Sequence, residues 1–246
     1  MFIFNPTTLR YILPLALLST VVQADDIQSF SSGTGRATTV ELFTSEGCSS
    51  CPPADAWLSK FKDDPRLWKQ IVPMAYHVDY WDYIGWSDRF ASPVNTTRQK
   101  THKNQGNIRS VYTPGIVVDG KEWRGWFRHG RLNLPETKAE QLNVRVSGTQ
   151  ITADYAGEAS QPLVFNVALL GFNLSNQIKS GENSGRKLDH DFVVLRQKSM
   201  ISDNGSWQLE LPSIKQSPVK NKGLAAWVSQ PDSLKPLQAT GGWLTN

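Results

Sequence analysis

Thr38-Thr39-Val40-Glu41-Leu42-Phe43-Thr44-Ser45-Glu46-Gly47-Cys48-Ser49-Ser50-Cys51-Pro52-Pro53-Ala54-Asp55-Ala56-Trp57-Leu58 contains the only two cysteines of the 246-residue chain. The run from Thr38 to Thr44 reads as a strand. Its imperfect alternation fits a strand covered on both faces. From Pro52 the pattern turns helical. Prolines are tolerated in a first turn, Ser49 or Ser50 can serve as cap, and Trp57, Leu58 and Phe61 fall at helical spacing. A C-x-x-C at such a junction is the pattern of thiol–disulfide exchange. The helix N-terminus, with its partial positive charge and unpaired N–H groups, favours a thiolate. The second cysteine, one turn on, can resolve a mixed disulfide. A bridge closing so short a loop gains the least chain entropy, so it is poorly placed as a staple.

Working outward, Asp25 to Arg36 is polar and reads as a flexible lead-in. Ile71 to Val78 is a second strand, and the helix between makes a right-handed β-α-β unit with parallel strands. A polar–aromatic run follows, Asp79-Tyr80-Trp81-Asp82-Tyr83-Ile84-Gly85-Trp86. Ser92-Pro93 opens a polar helix ending near Gly106, on which Arg98, Lys100, His102 and Lys103 read as a solvated face. Tyr112 to Gly120 reads as turn, strand and tight turn, with a returning strand to Trp126. The cysteines, the His77–Asp82 run and Thr113-Pro114 thus meet at one sheet edge, where open α/β sheets bind ligands. The long segment from Asp82 to Ser110 is expected to form a partial lid beside the cysteines.

From about Leu142 the texture becomes all-β. Short alternating runs separated by polar turns, such as Gln150 to Tyr155 and Leu163 to Leu170, suggest a β-sandwich. Asp189-His190-Asp191 reads as a surface turn, because no G-x-S-x-G elbow accompanies it.

Cys48-Ser49-Ser50-Cys51 followed by Thr113-Pro114 resembles the redox motif and cis-proline loop of the thioredoxin superfamily. The run Val40 to Asp55, with His77-Val78-Asp79-Tyr80-Trp81-Asp82, Gly85-Trp86 and Val111-Tyr112-Thr113-Pro114, is similar to the signature of a family of secreted bacterial thioredoxin-like proteins of unknown function. The similarity covers residues 38–126 and extends more weakly from Gly181-Glu182-Asn183 to His190. It implies an α/β architecture: a thioredoxin-like domain with an insert over residues 37–136, followed by an all-β sandwich-like domain over 140–246. It also implies roles. Cys48 is the attacking thiol, Cys51 the resolving one, Pro114 a cis residue beside the sulfurs, and Glu41 the counterpart of a buried proton-transfer acid. The spacing from Glu41 to the cysteines is one residue longer than in thioredoxin, and Gly47 stands where thioredoxin has tryptophan. Tyr80, Trp81 and Trp86 are candidate substrate contacts, with packing as the plainer reading. His77 reads as a satisfied core histidine or a group titrating near the thiolate. Asp79 reads as a turn residue or a group tuning the cysteine.

Residues 1–24 have a signal-peptide pattern: Arg10, the apolar Tyr11 to Leu18, and Val22-Gln23-Ala24 at the cleavage position. The implied compartment is the periplasm or the exterior, where disulfides persist. The net charge is +4, and loss of Arg10 with the leader leaves 25 basic residues against 22 acidic ones. There is no Lys/Arg block, so nothing argues for nucleic-acid binding. No membrane attachment is expected after leader removal, and no cofactor is implied. The leading function is an exported thiol–disulfide oxidoreductase acting on a protein or small-molecule thiol. The alternative is a non-catalytic binding module whose disulfide is structural. Metal capture by Cys48, Cys51 and His77 stands third, with no metal-ligand set assigned.

Overall fold

The computed structural model describes residues 1–2, 26–128, 130–132, 134, 136–157 and 161–245. The leader reading rests on residues 3–25 almost entirely, which lie outside this set. No described helix is long and apolar enough to cross a membrane.

The cysteine-bearing stretch folds as its pattern requires. Strand β2 (Thr38–Thr44) leads into helix α1 (Pro52–Ser59), with Cys51 at the N-cap and prolines in the first turn. Strand β3 (Ile71–His77) lies parallel to β2, in a register that pairs Phe43 with Tyr76 and Thr44 with His77. Both strands are buried along their whole length. Strand β4 (Gly115–Val118) runs antiparallel on the other side of β2, and the two-residue β5 (Lys121–Glu122) forms the edge. Helix α2 (Pro93–Asn104) is capped by Ser92, whose Oγ accepts from the Val94 N–H.

The remaining strands do not form a separate unit. Strands β8 (Leu163–Gly171), β11 (Val193–Ser202), β13 (Lys222–Ser229) and β14 (Pro236–Leu244) continue the same sheet, in the order β14-β13-β8-β11-β3-β2-β4-β5. A second sheet of β1 (Ile27–Ser31), β6 (Leu142–Ser147), β7 (Gln150–Tyr155) and β12 (Ser206–Glu210) packs on it. A hairpin of β9 (Leu174–Gln177) and β10 (Lys187–His190) completes the strands. With the single-turn helix α3 (Ser213–Gln216), the described residues hold fourteen strands and three α-helices.

This corrects the expected architecture. The chain is mostly β, and the thioredoxin-like α/β domain followed by a separate sandwich is not what forms. The reason lies in β3, a buried strand that needs a neighbour on the side away from β2. Strand β11 supplies it: Val193 pairs in parallel with Ala75, whose N–H bonds to Phe192 O at 2.8 Å. Towards the start of β3 the pairing cannot extend, because Pro73, two residues before Ala75, faces the same side and has no N–H to give. On its other edge β11 pairs antiparallel with β8, from Val193 to Ser202, with a bulge at Val194/Arg196.

Strand alternation then gives the joined sheet a core on each face. Phe165, Val167, Leu169, Leu224, Ala226 and Val228 face the four-stranded sheet. Ala168, Leu170, Ala225 and Trp227 face the core that also contains β2, β3 and α1. The presumed flexible lead-in is β1, paired with β6 from Ile27–Ser147 to Ser31–Asn143.

Candidate functional site

Cys48 and Cys51 are joined by a disulfide. Both are buried, 1% and 0% exposed, while Ser49 and Ser50 between them are exposed. The helix end does not offer the free N–H groups expected of it. Pro52 and Pro53 have none, and the N–H groups of Cys51 and Ala54 bond to Cys48 O and Cys51 O. The Ser50 hydroxyl lies 3.3 Å from Cys48 Sγ.

The loop is closed over by the β9–β10 connection. Asn183, itself buried, donates to Glu46 O at 2.8 Å and Cys48 O at 3.0 Å. Glu182 accepts from the Ser49 N–H at 3.0 Å. From the other side, Trp81 and Ile84 approach Gly47 so closely that a Cβ there would lie 3.1 Å from Trp81 Cβ. A larger residue at 47 would have to push Trp81 and Ile84 back by a few tenths of an ångström.

The other sequence-predicted residues separate into two groups. The Thr113–Pro114 bond is cis and leads directly into β4, where Gly115 pairs with Phe43 near the end of β2. Trp81 Nε1 donates to Thr113 Oγ1 at 2.7 Å, so one tryptophan borders the cysteine loop through its Cβ and backbone and the cis-proline loop through its indole. Trp86 Nε1 donates to Glu46 Oε2 at 2.8 Å. Tyr80 donates to Gln99 Oε1 at 3.1 Å with its hydroxyl also beside Thr113, and Asp79 accepts from Thr96 Oγ1 as a turn residue.

Glu41 is not placed to serve the cysteines. It alternates with Leu42 and Thr44, and Thr44 bonds to Asp55 of α1, so Glu41 projects from the opposite face of β2. There Arg98 grips it at 2.6 and 2.8 Å, with His102 at 3.2 Å. Burial opposes its charge, but Arg98 and His102 hold its pKa down at about 2. The ion pair with Arg98 thus favours its charged form. The supposedly solvated helix face thus turns Arg98 and His102 inward, and α2 lies on the back of the sheet. Only the start of the expected lid, at Ile84, Trp86 and Asp88, borders the cysteine loop.

Sequence reasoning missed a buried cluster one turn beyond Cys51. Asp55 of α1, His77 at the end of β3 and His190 at the end of β10 bring ligand atoms within 4.8 Å of one another. His77 Nδ1 lies 2.6 Å from Asp88 Oδ2, and His190 Nε2 lies 3.2 Å from Glu46 Oε1. Burial lifts the Asp55 pKa, against the pull of His190 and His77. Burial works against a charge on His77, yet Asp88 beside it raises the His77 pKa overall. His77 is therefore only half-satisfied: its Nε2 has no hydrogen-bond partner. The Phe90 ring stands 5.4 Å from His77 and 5.7 Å from His190. Beyond Phe90 opens a cleft of about 1020 Å³, whose lining includes no residue of the cysteine loop.

A crystal structure of protein AGR_C_4864 from Agrobacterium tumefaciens is similar, at 26% identity and a TM-score of 0.60, over 84% of this chain and 93% of that one. HBP35 of Porphyromonas gingivalis shares the fold at 15% identity and a TM-score of 0.54, over 87% of this chain and 76% of that one. No curated protein is significantly similar in sequence. A family model described as "Protein of unknown function (DUF1223)" matches residues 39–229, spanning the cysteine loop, the histidine cluster and the strands on both sides of β11, and the chain belongs to that family.

Proposed function

We propose that the protein is an exported thiol–disulfide oxidoreductase that exchanges the Cys48–Cys51 bond with thiols of a protein or small molecule. The observation that carries this reading is the position of the bond. It joins the N-cap of α1 to the loop immediately before it and ties together no elements distant in the chain. On the loop-closure argument such a bond adds little stability, which leaves exchange chemistry as its use.

In the forward step a partner thiolate attacks Cys48 Sγ and forms a mixed disulfide. The Cys48–Cys51 bond breaks, and Cys51 leaves as a thiolate that takes up a proton. A second partner thiolate attacks the partner's own sulfur, releasing the Cys48 thiolate, to which the Ser50 hydroxyl can donate. The partner dithiol loses two electrons and two protons and becomes a disulfide, while the protein becomes a dithiol. A second disulfide-bearing partner restores the starting state, and the reverse sequence reduces a substrate. Attack requires the Gly181–Asn183 cover to move, since both cysteines are buried.

That same burial favours the second reading, a binding module with a structural disulfide. Equilibration with glutathione or dithiothreitol buffers, followed by alkylation and mass spectrometry, separates the two. A potential between about −270 and −120 mV supports exchange, and one below about −300 mV assigns the bond to structure. The periplasmic or secreted location in this reading is supported by the leader pattern of residues 1–24 and by the disulfide.

A further inference from the structure

We propose that Asp55, His77 and His190 form a binding site for one divalent transition-metal ion of the zinc type. The three come from separate elements, α1, β3 and β10, and are 7%, 0% and 2% exposed. Donor atoms about 2 Å from one tetrahedrally bound ion lie about 3.3 Å apart, so separations within 4.8 Å leave at most about 1.5 Å to close.

The histidine bonding carries the argument. Each ring spends one nitrogen on a carboxylate and leaves the other buried without a partner. His77 turns Nδ1 to Asp88 and leaves Nε2 unpartnered. His190 turns Nε2 to Glu46 and leaves Nδ1 unpartnered. A carboxylate on one nitrogen places the proton there and presents a lone pair on the other. This is the arrangement of metal-bound histidine, in which an outer carboxylate orients the ring and raises its basicity. Two buried nitrogens without partners are costly in any packing that offers them nothing.

The outer carboxylates are themselves fixed. Asp88 accepts from the Glu46 and Phe90 N–H groups, both at 2.9 Å. Glu46 accepts from Trp86 at 2.8 Å and Asn176 at 3.0 Å. Asp55 accepts from Thr44 Oγ1 at 2.9 Å through one oxygen. Two imidazoles and a carboxylate suit zinc and its first-row neighbours. They do not suit calcium or magnesium, which prefer all-oxygen sets, or copper(I), which prefers sulfur. The cysteine sulfurs are bonded to each other and lie outside the cluster. A groove of about 380 Å³, lined in part by Asp55, His190 and Arg186, gives an ion a route in and leaves room for a water as further ligand.

The test uses the full chain with its disulfide intact, stripped of metal with a chelator. Zn²⁺ is titrated by calorimetry and by competition with a chromophoric chelator, and Co²⁺ is used as a spectroscopic probe. The expected result is one ion per chain, with affinity falling at least about 100-fold in His190→Gln and in Asp55→Asn. Glu46→Gln should lose about 10- to 100-fold, as an outer-shell change does. The exposed Glu182→Gln control should bind like wild type. Circular dichroism shows whether each variant folds, and the wild-type titration stands without them. No binding by the wild type overturns the proposal, as does binding unchanged in both His190→Gln and Asp55→Asn. Binding that appears only after reduction, with sulfur-to-cobalt charge-transfer absorption, assigns the ion to Cys48 and Cys51 and overturns it too.

Discussion

Replacing Arg98 with methionine tests how α2 is tied to the back of the sheet. Glu41 is 1% exposed, and its carboxylate is held by Arg98 at 2.6 and 2.8 Å. Burial alone would raise its pKa above the ordinary 4.5. The Arg98 charge, helped by His102, reverses this and brings it to about 2. At about 1.4 kcal/mol per tenfold change in proton affinity, the fall is worth about 3 kcal/mol of folding stability. Because the folded pKa is depressed, that contribution is present above pH 4.5 and lost as pH falls towards 2. An independent guide agrees in size: removing one partner of a buried ion pair costs about 3–5 kcal/mol. Urea unfolding followed by circular dichroism should therefore show Arg98→Met less stable by about 3–5 kcal/mol at pH 7. The deficit should narrow at pH 4, where the wild type has begun to lose its ion-pair stabilisation. In the variant, Glu41 no longer has Arg98 to oppose burial, so it takes up its proton at higher pH. A deficit below about 1 kcal/mol, or one constant between the two pH values, would refute this account.

Asn183→Leu should cost about 1–3 kcal/mol, because the Glu46 and Cys48 carbonyls lose their shared donor. It should also speed reduction of Cys48–Cys51 by dithiothreitol, read by timed alkylation; an unchanged rate would show that the β9–β10 connection does not guard the bond. Gly241→Ala places a Cβ 2.5 Å from the Leu224 backbone oxygen and against Trp68, so it should lower stability by about 1–3 kcal/mol in thermal unfolding. Full retention of the melting temperature would mean that β13 and β14 adjust more freely than their packing indicates. Trp81→Phe keeps the Cβ contact at Gly47 but removes the bond to Thr113, and should cost about 1 kcal/mol in urea titration.

The parts legible in sequence are those specified by local pattern. The strand, cysteine loop and helix from Thr38 to Leu58 follow from period and punctuation, and β7 occupies the Gln150–Tyr155 run read for it. Long-range joins leave no such trace. The pairing of β11 with β3 rests on one register pair, Val193 with Ala75. After Val193-Val194 the β11 sequence, Leu-Arg-Gln-Lys-Ser-Met-Ile-Ser, gives no sign of a partner in another part of the chain. The cluster was hidden for the same reason. His190 stands in Lys187-Leu188-Asp189-His190, a sequence suited to a surface turn, and is buried only because the hairpin folds onto α1. Glu41 misled in the opposite way. Its resemblance to the buried acid of thioredoxin suggested a proton-transfer role, while strand alternation turns it to the far face. The extra residue before Cys48 was the available warning.

The junction at Val193 also sets where the chain can be cut. A fragment ending before residue 140 would keep β2, β3, α1 and the cysteines but would leave β3 as an uncovered margin. Ile71, Val72, Met74, Ala75 and Tyr76 are all fully or almost fully buried, and Pro73 blocks only part of that margin. Such an apolar strand recruits the same strand of a second copy, so the fragment should aggregate on expression. Its insolubility would then report a missing neighbour, not a defect in the cysteine loop.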